Sequence, residues 1–384
     1  MINEIVVQWI LDLIMFFFLY LIVTMNLNLM YGYTGIPHFG ISLSVAGGGY
    51  VVGALTGRIL RWWYNVYPEL DFMYENGKIT DEINAHLAHD PVTGIGIFLF
   101  VIAVSLVLNA CLGYIVSKPA IRLTGSYLII VFIGMAEAVR VIGMNYYPLV
   151  GGTFWVAVPD AFAWMGSYRM EGFLLIAGLL TLIIFLLIQS LSTSPLARVL
   201  RAIRENSVSA ECVGKDVVGI RTKVVVLCSA LTSVAGVLYG FYIHAVLSTS
   251  YTRATWTFYP WLMFMVGGVG NNMGATVGTF IFITLRRLII FYKHSIEAYV
   301  PFQVQWLEQI MIGVMLLMII IFRPQGLIPE KPTMMRGLNY EQVEEEMREK
   351  GVKIPEKQVV QKKTIIQRIL RRVQQNLLRV AVFN

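Results

Sequence analysis

SPLARVLRAIRENSVSAECVGKDVVGIRTK, residues 194–223, is a basic stretch of helical pattern set between two long apolar runs. Its flanks decide the fold. At 1.5 Å of rise per residue, roughly 20 residues cross the hydrocarbon of a bilayer. The runs at 172–191 and about 223–247 meet that length, so the basic stretch is a connection lying outside the membrane. Further apolar runs at about 5–30, 36–57, 94–116, 124–143, 257–270, 274–291 and 303–322 bring the total to about nine crossings, within 8–10. The expected fold is an all-α, polytopic membrane bundle. Within 257–291, Gly267, Gly268, Gly270, Gly274 and Gly278 fit close helix packing or a broken or re-entrant element, and Gly270, Gly274 and Gly278 recur at every fourth position.

Composition supports the same class. Of 384 residues, 57% are hydrophobic and 14% charged, too little charge for a soluble domain of this size. Lys and Arg (30) exceed Asp and Glu (23), but the excess gathers in the connections and the tail. Such a pattern orients a membrane protein and gives no sign of nucleic-acid binding. Cys111, Cys212 and Cys228 are odd in number and lack metal-type spacing, which argues against a disulfide framework. The run 5–30 lacks a positive flank and exceeds a signal-peptide core, so it is expected to be a retained span.

Basic residues also assign the sides. The connection 117–123 carries two Lys or Arg, 192–222 carries five and the segment after Phe322 carries thirteen, whereas the opposite connections share six. The positive-inside rule therefore expects loop 192–222 and the C-terminus in the cytosol of a multi-pass protein of the cell membrane. With nine crossings the N-terminus lies outside. The largest external connection, 58–93, holds Glu69, Asp71, Glu75, Asp81, Glu82 and Asp90 behind the aromatic cluster Trp62, Trp63, Tyr64 and Tyr67. It is expected to serve as a lid or docking surface.

Inside 192–222, Ser194 is placed to cap a helix and Pro195 to occupy its first position. Leu196, Val199, Leu200 and Ile203 recur at helical spacing, with Arg198, Arg201 and Arg204 on the other side. Asn206 or Ser207 caps a second piece through Val213, which Gly214 ends by turning left-handed.

The segments Arg201–Asn206 (RAIREN) and Ser209–Gly214 (SAECVG) resemble the cytoplasmic EAA-type loop of ABC-importer permeases, in the branched-chain amino acid (LivM-like) branch. Asn26–Gly35 (NLNLMYGYTG), Gly134–Arg140 (GMAEAVR), Met265–Gly274 (MVGGVGNNMG) and Phe322–Leu327 (FRPQGL) resemble other segments of that family, in the same order. The resemblance covers roughly residues 20–328, leaving 329–384 as a charged, amphipathic tail beyond a permease domain at 1–328. It implies a translocation subunit paired with a second related permease, seated on two cytosolic ABC ATPase subunits and supplied by an extracytoplasmic solute-binding protein. ATP would be bound by those partners, with no cofactor in this chain; indeed no G-x-x-x-x-G-K-[ST] phosphate loop occurs. Asn206–Val213 is then the expected coupling helix, with Ala210 giving a close-packed surface, Glu211 a polar contact, Gly214 the bend, and Arg201, Arg204 and Glu205 bracing it. Ala210-Glu211-Cys212 departs from the family's E-A-A order. The implied solute is a branched-chain amino acid or a related small polar molecule.

Glu137 and Arg140 are the conspicuous charges inside a span, three positions apart on one helical face. They read as a structural ion pair ahead of a place beside the solute path. Asp12, in the first span, lacks a sequence partner and is expected to face a neighbouring helix. The histidines show no metal spacing and no G-x-S-x-G nucleophile occurs, so the chain does not read as an enzyme. The rival reading is an ion-coupled secondary transporter, which would also show many spans, glycine-broken helices and buried charge. Beyond Pro329, Ile365, Ile366, Ile369, Leu370, Val373, Leu377 and Val380 form one apolar stripe among basic residues, as expected of a helix lying on lipid or on a partner.

Overall fold

A computed structural model of the chain describes residues 2–123 and 125–292, and beyond them 309–310, 313–314, 317–318, 321–322 and 325–330. In chain order the helices are α1 (Ile2–Leu27), α2 (Ser42–Tyr64), α3 (Asn76–Leu87), α4 (Pro91–Ala120), α5 (Ser126–Asn145) and α6 (Tyr147–Val150). There follow α7 (Arg169–Thr193), α8 (Pro195–Glu205), α9 (Ser207–Cys212), α10 (Val217–Ile243), α11 (Tyr259–Gly267) and α12 (Asn272–Phe291). α1 runs on through a π-helical turn, Asn28–Tyr33.

Seven helical stretches among the described residues are long and apolar enough to cross a membrane: Val6–Tyr33, Ser42–Tyr64, Pro91–Ala120, Ser126–Asn145, Ala163–Thr193, Val217–Ile243 and Asn272–Phe291. They match seven of the nine expected crossings, giving a polytopic helical membrane protein. The stretch at 257–270 forms no full span. A π-helical turn, Ala254–Phe258, leads into α11, and together they rise only about 21 Å against a hydrocarbon core of about 30 Å. The arm then reverses at Gly268–Asn271 into α12, so the broken-element alternative is the one the chain adopts. The crossing at 303–322 falls largely, and the apolar stripe at 365–380 wholly, outside the described residues.

α2 and α10 form the centre: 83% of the α2 membrane window and 72% of the α10 window are buried, against 22–39% for the other spans. Small residues permit this. A Cβ at Gly48 would overlap the carbonyl of Ser233, and one at Gly236 would overlap that of Val45, so the two backbones touch. Gly47-Gly48-Gly49 is therefore a helix-crossing surface. Ser105 Oγ, on α4, donates to Ser233 Oγ of α10 at 2.9 Å. Asp12 does face a neighbouring helix, accepting a hydrogen bond from the Tyr242 hydroxyl of α10.

The connection 58–93 holds more structure than its polarity suggests. α2 runs on to Tyr64, and α3 is amphipathic, with Ile79, Ile83 and Leu87 buried one turn apart. Side-chain oxygens of Asn76 and Asn84 accept the amides of Ala157 and Asp160. Beside them β1 (Val156–Ala157) pairs antiparallel with β2 (Ala245–Val246), Val156 opposite Val246. α3 and the strand pair form a packed cap on this end of the bundle.

Candidate functional site

At the opposite end, which carries 117–123 and 194–216, four sequence-distant segments meet. Asn28, in the π-helical turn, accepts the amide of Gly270 through its side-chain oxygen at 2.9 Å and donates to Asn272 Oδ1 at 3.0 Å. Asn272 donates in turn to Gln189 Oε1 (2.8 Å) and Ser192 Oγ (2.9 Å) at the end of α7. The last described segment lies across the α11–α12 turn, the amides of Leu327 and Ile328 donating to the carbonyls of Val266 (2.9 Å) and Gly267 (2.8 Å). A buried amide network of this kind fixes relative position, because every broken bond leaves a polar group without water.

The glycines divide into two kinds. A Cβ at Gly267 would overlap the carbonyl of Gly274, and one at Gly278 that of Met263, so these three pack α11 directly against α12. Gly268 and Gly270 belong to the turn: Gly270 has a φ of 77° and lies under Glu330 and Arg204. Gly270 therefore leaves the expected every-fourth packing row, and Gly267 takes its place.

α8 and α9 stand on this node as a hairpin. Pro195 fills the first position of α8, but the Ser194 hydroxyl donates backwards to the Leu191 carbonyl at 2.7 Å and caps nothing. Ala197, Leu200 and Ile203 form the buried stripe of α8, while Leu196 is exposed. Asn206 caps α9, its Oδ1 accepting the Ser209 amide at 3.0 Å. Gly214 ends α9 with a φ of 76°; its amide donates to Glu211 O (2.9 Å) and that of Lys215 to Ala210 O (3.1 Å), the paired bonds of a Schellman stop.

Ala210 is only 4% exposed and joins Ile203 and Val217 in a small core bridging α9, α8 and α10. It thus packs inward. The outward face of α9 and its stop consists of Val208 (66% exposed), Ser209, Glu211, Cys212 and Val213 (73%). Arg201 and Arg204 brace α8 rather than α9. Arg201 Nε lies 3.0 Å from Glu330 Oε1, and its guanidinium sits over the Tyr33 ring at 5.1 Å. Arg204 Nη2 lies 2.9 Å from Glu330 Oε2, and Nη1 donates to the Gly32 carbonyl. Glu205 is exposed and, among the described residues, meets Arg204 at 3.1 Å. Glu330, a quarter exposed between two arginines, is one of the residues that sequence reasoning missed. No periodicity links it to α8.

The intramembrane pair is present and larger than expected. Arg140 Nε donates to Glu137 Oε1 at 3.0 Å, and Arg253 Nε lies 3.3 Å from Glu137 Oε2. Among the described residues no cluster of His, Cys, Asp and Glu is arranged to hold a metal ion.

A multi-spanning helical bundle with a capped hairpin fastened to one end defines the chain as a polytopic membrane protein. A family model described as "Branched-chain amino acid transport system / permease component" matches residues 9–320, and the chain belongs to this family. It is 35% identical over 323 residues to the probable branched-chain amino acid transport permease protein LivM of Methanocaldococcus jannaschii, covering 83% of this chain and 93% of that one. It is 24% identical over 336 residues to the high-affinity branched-chain amino acid transport system permease protein LivM of Salmonella typhimurium, covering 81% and 68%. The corresponding Escherichia coli protein is 23% identical over 336 residues, with the same coverage. No solved structure matches the chain.

Proposed function

We propose that this chain is the membrane subunit of an ATP-driven importer for branched-chain amino acids or a related small polar solute, and that α8–α9 receives the mechanical input. The complete importer would contain a second related permease, two cytosolic ABC ATPases that bind the ATP, and an extracytoplasmic solute-binding protein. The basic end faces the cytosol and the packed 58–93 cap faces outward.

One observation carries the reading: a short helix, stopped at both ends, exposes one face and is wired through the other to the transmembrane helices. Displacing α9 moves Ala210 against Val217 and hence α10, the helix in backbone contact with α2. Displacing α8 pulls on Gly32 and Glu330, and so on the end of α1 and the α11–α12 turn. Val208 and Val213 give the exposed face apolar area to bury in a partner, and Glu211 gives it a charge.

Co-expression with the candidate ATPases and reconstitution into liposomes tests this. The native thiol of Cys212, exposed on that face, should cross-link to an ATPase subunit, and uptake should require ATP. Uptake by this chain alone, driven by a cation gradient, would establish the secondary-transporter reading instead.

A further inference from the structure

Between the last turns of α4 and the first turns of α10 lies a groove of about 740 Å³. Lys118, Arg122 and Lys223 line its extramembrane rim, while Tyr114, Val226 and Leu227 line the part running back along the spans. All three cations are exposed, and among the described residues none has a carboxylate partner. Lys118 Nζ lies over the Tyr114 ring at 4.9 Å. The one carboxylate in the lining, Asp216, accepts the Gly219 amide at 2.9 Å as the cap of α10. The apolar part continues onto the outward side of α4, where Val107, Leu108, Tyr114 and Ile115 are exposed.

We propose that this groove binds one anionic phospholipid, its phosphate among Lys118, Arg122 and Lys223 and an acyl chain along Tyr114, Val226 and Leu227. The argument is charge complementarity joined to a polarity gradient. Three cations against one carboxylate leave the rim at the end of the span net positive and attractive to a phosphate, and an apolar wall directly above accepts the chain attached to it. A free anion would satisfy the rim and leave the wall empty. Val217 connects the site to the hairpin: it opens the helix bearing Lys223 and packs against Ala210 of α9. A bound lipid would therefore steady the base on which α9 moves. The assignment to the inner leaflet rests on the orientation proposed above.

The test places the full-length chain in phosphatidylcholine nanodiscs carrying a trace of photoactivatable phosphatidylglycerol, then maps the labelled peptides. Labelling is expected at 110–122 and 218–230, with inorganic phosphate failing to displace it. Each basic residue near an anionic surface is worth about fivefold, so a Lys118→Ala, Arg122→Ala, Lys223→Ala variant should label on the order of a hundredfold less. The charge-keeping pair Lys118→Arg and Lys223→Arg should label normally, which separates charge from folding. Equal labelling by photoactivatable phosphatidylcholine, displacement by inorganic phosphate, or labelling that survives the triple alanine change would each overturn the proposal. Orientation is read separately by an impermeant thiol reagent at Cys212: reaction from outside would refute the inner-leaflet assignment while leaving the labelling result standing.

Discussion

His38 lies in the connection between α1 and α2, 2% exposed, with its ring centre 3.9 Å from that of Phe132 and its Nδ1 without a partner among the described residues. Burial pushes its pKa down from 6.5 to about 4. Between those values the unfolded chain binds more protons than the folded one, so stability is full above about 6.5 and declines as pH falls toward 4. Thermal denaturation in detergent should follow that window, and His38→Phe should flatten it; an unchanged pH slope would count against a buried neutral imidazole. Glu137 makes a second residue-scale case. Glu137→Gln strips two arginines of their counter-charge and is expected to destabilise by about 1–3 kcal/mol. Arg253→Gln, at an exposed position, should lose less than about 1 kcal/mol, as judged by the same melts. Glu137 and Arg140 were readable because helical spacing puts them on one face. Arg253 was not, because a contact across the chain leaves no trace in local period.

The hairpin was the most legible element, and its caps show where reading by residue type stops. Ser194 and Asn206 both precede helices and both suit an N-cap, yet only Asn206 turns its oxygen onto a free amide; the Ser194 hydroxyl is taken by Leu191 O. Hence Asn206→Ala should cost about 1 kcal/mol and speed amide exchange at Ser209, whereas Ser194→Ala should do neither. Gly214 divides similarly into two properties. Nothing lies within 4 Å of a Cβ built there, so bulk is tolerated and the positive φ is the constraint. Gly214→Val is therefore expected to strain the stop by about 1–2 kcal/mol while leaving the bundle folded. ATP-driven uptake should fall with complex assembly retained; uptake at the parental rate would show that the stop has no part in coupling. α3 and the short arm at 254–267 were less legible. Polarity disguised the first as an open connection, and the second, apolar but shorter than a full crossing, read equally as a span or as a broken element, which only the observed glycine turn decides.

Across the membrane unit, most of the segments that resemble one family in linear order physically meet: 26–35, 201–214, 265–274 and the stretch 325–330, whereas 134–140 lies apart, with Glu137 and Arg140 beside Arg253. Sequence order could supply the list but not the junction, since Asn28, Asn272 and Gln189 are ordinary polar residues until three helix ends bring them together. Glu330 is where that junction touches the hairpin. Its carboxylate lies between Arg201 and Arg204, about a quarter exposed, with Arg204 continuing to the Gly32 carbonyl. Glu330→Gln keeps the shape and removes the charge, so a loss of about 1–3 kcal/mol in stability is expected. If the hairpin passes motion to α1 and the α11–α12 turn through this contact, ATP-driven uptake should drop further than stability predicts, with ATPase binding and ATP hydrolysis retained. Glu330→Asp, which restores charge at shorter reach, should recover part of the uptake. Equal loss of uptake and of ATPase binding would instead mean that Glu330 serves assembly alone, and that force enters the bundle through Ala210, Val217 and α10.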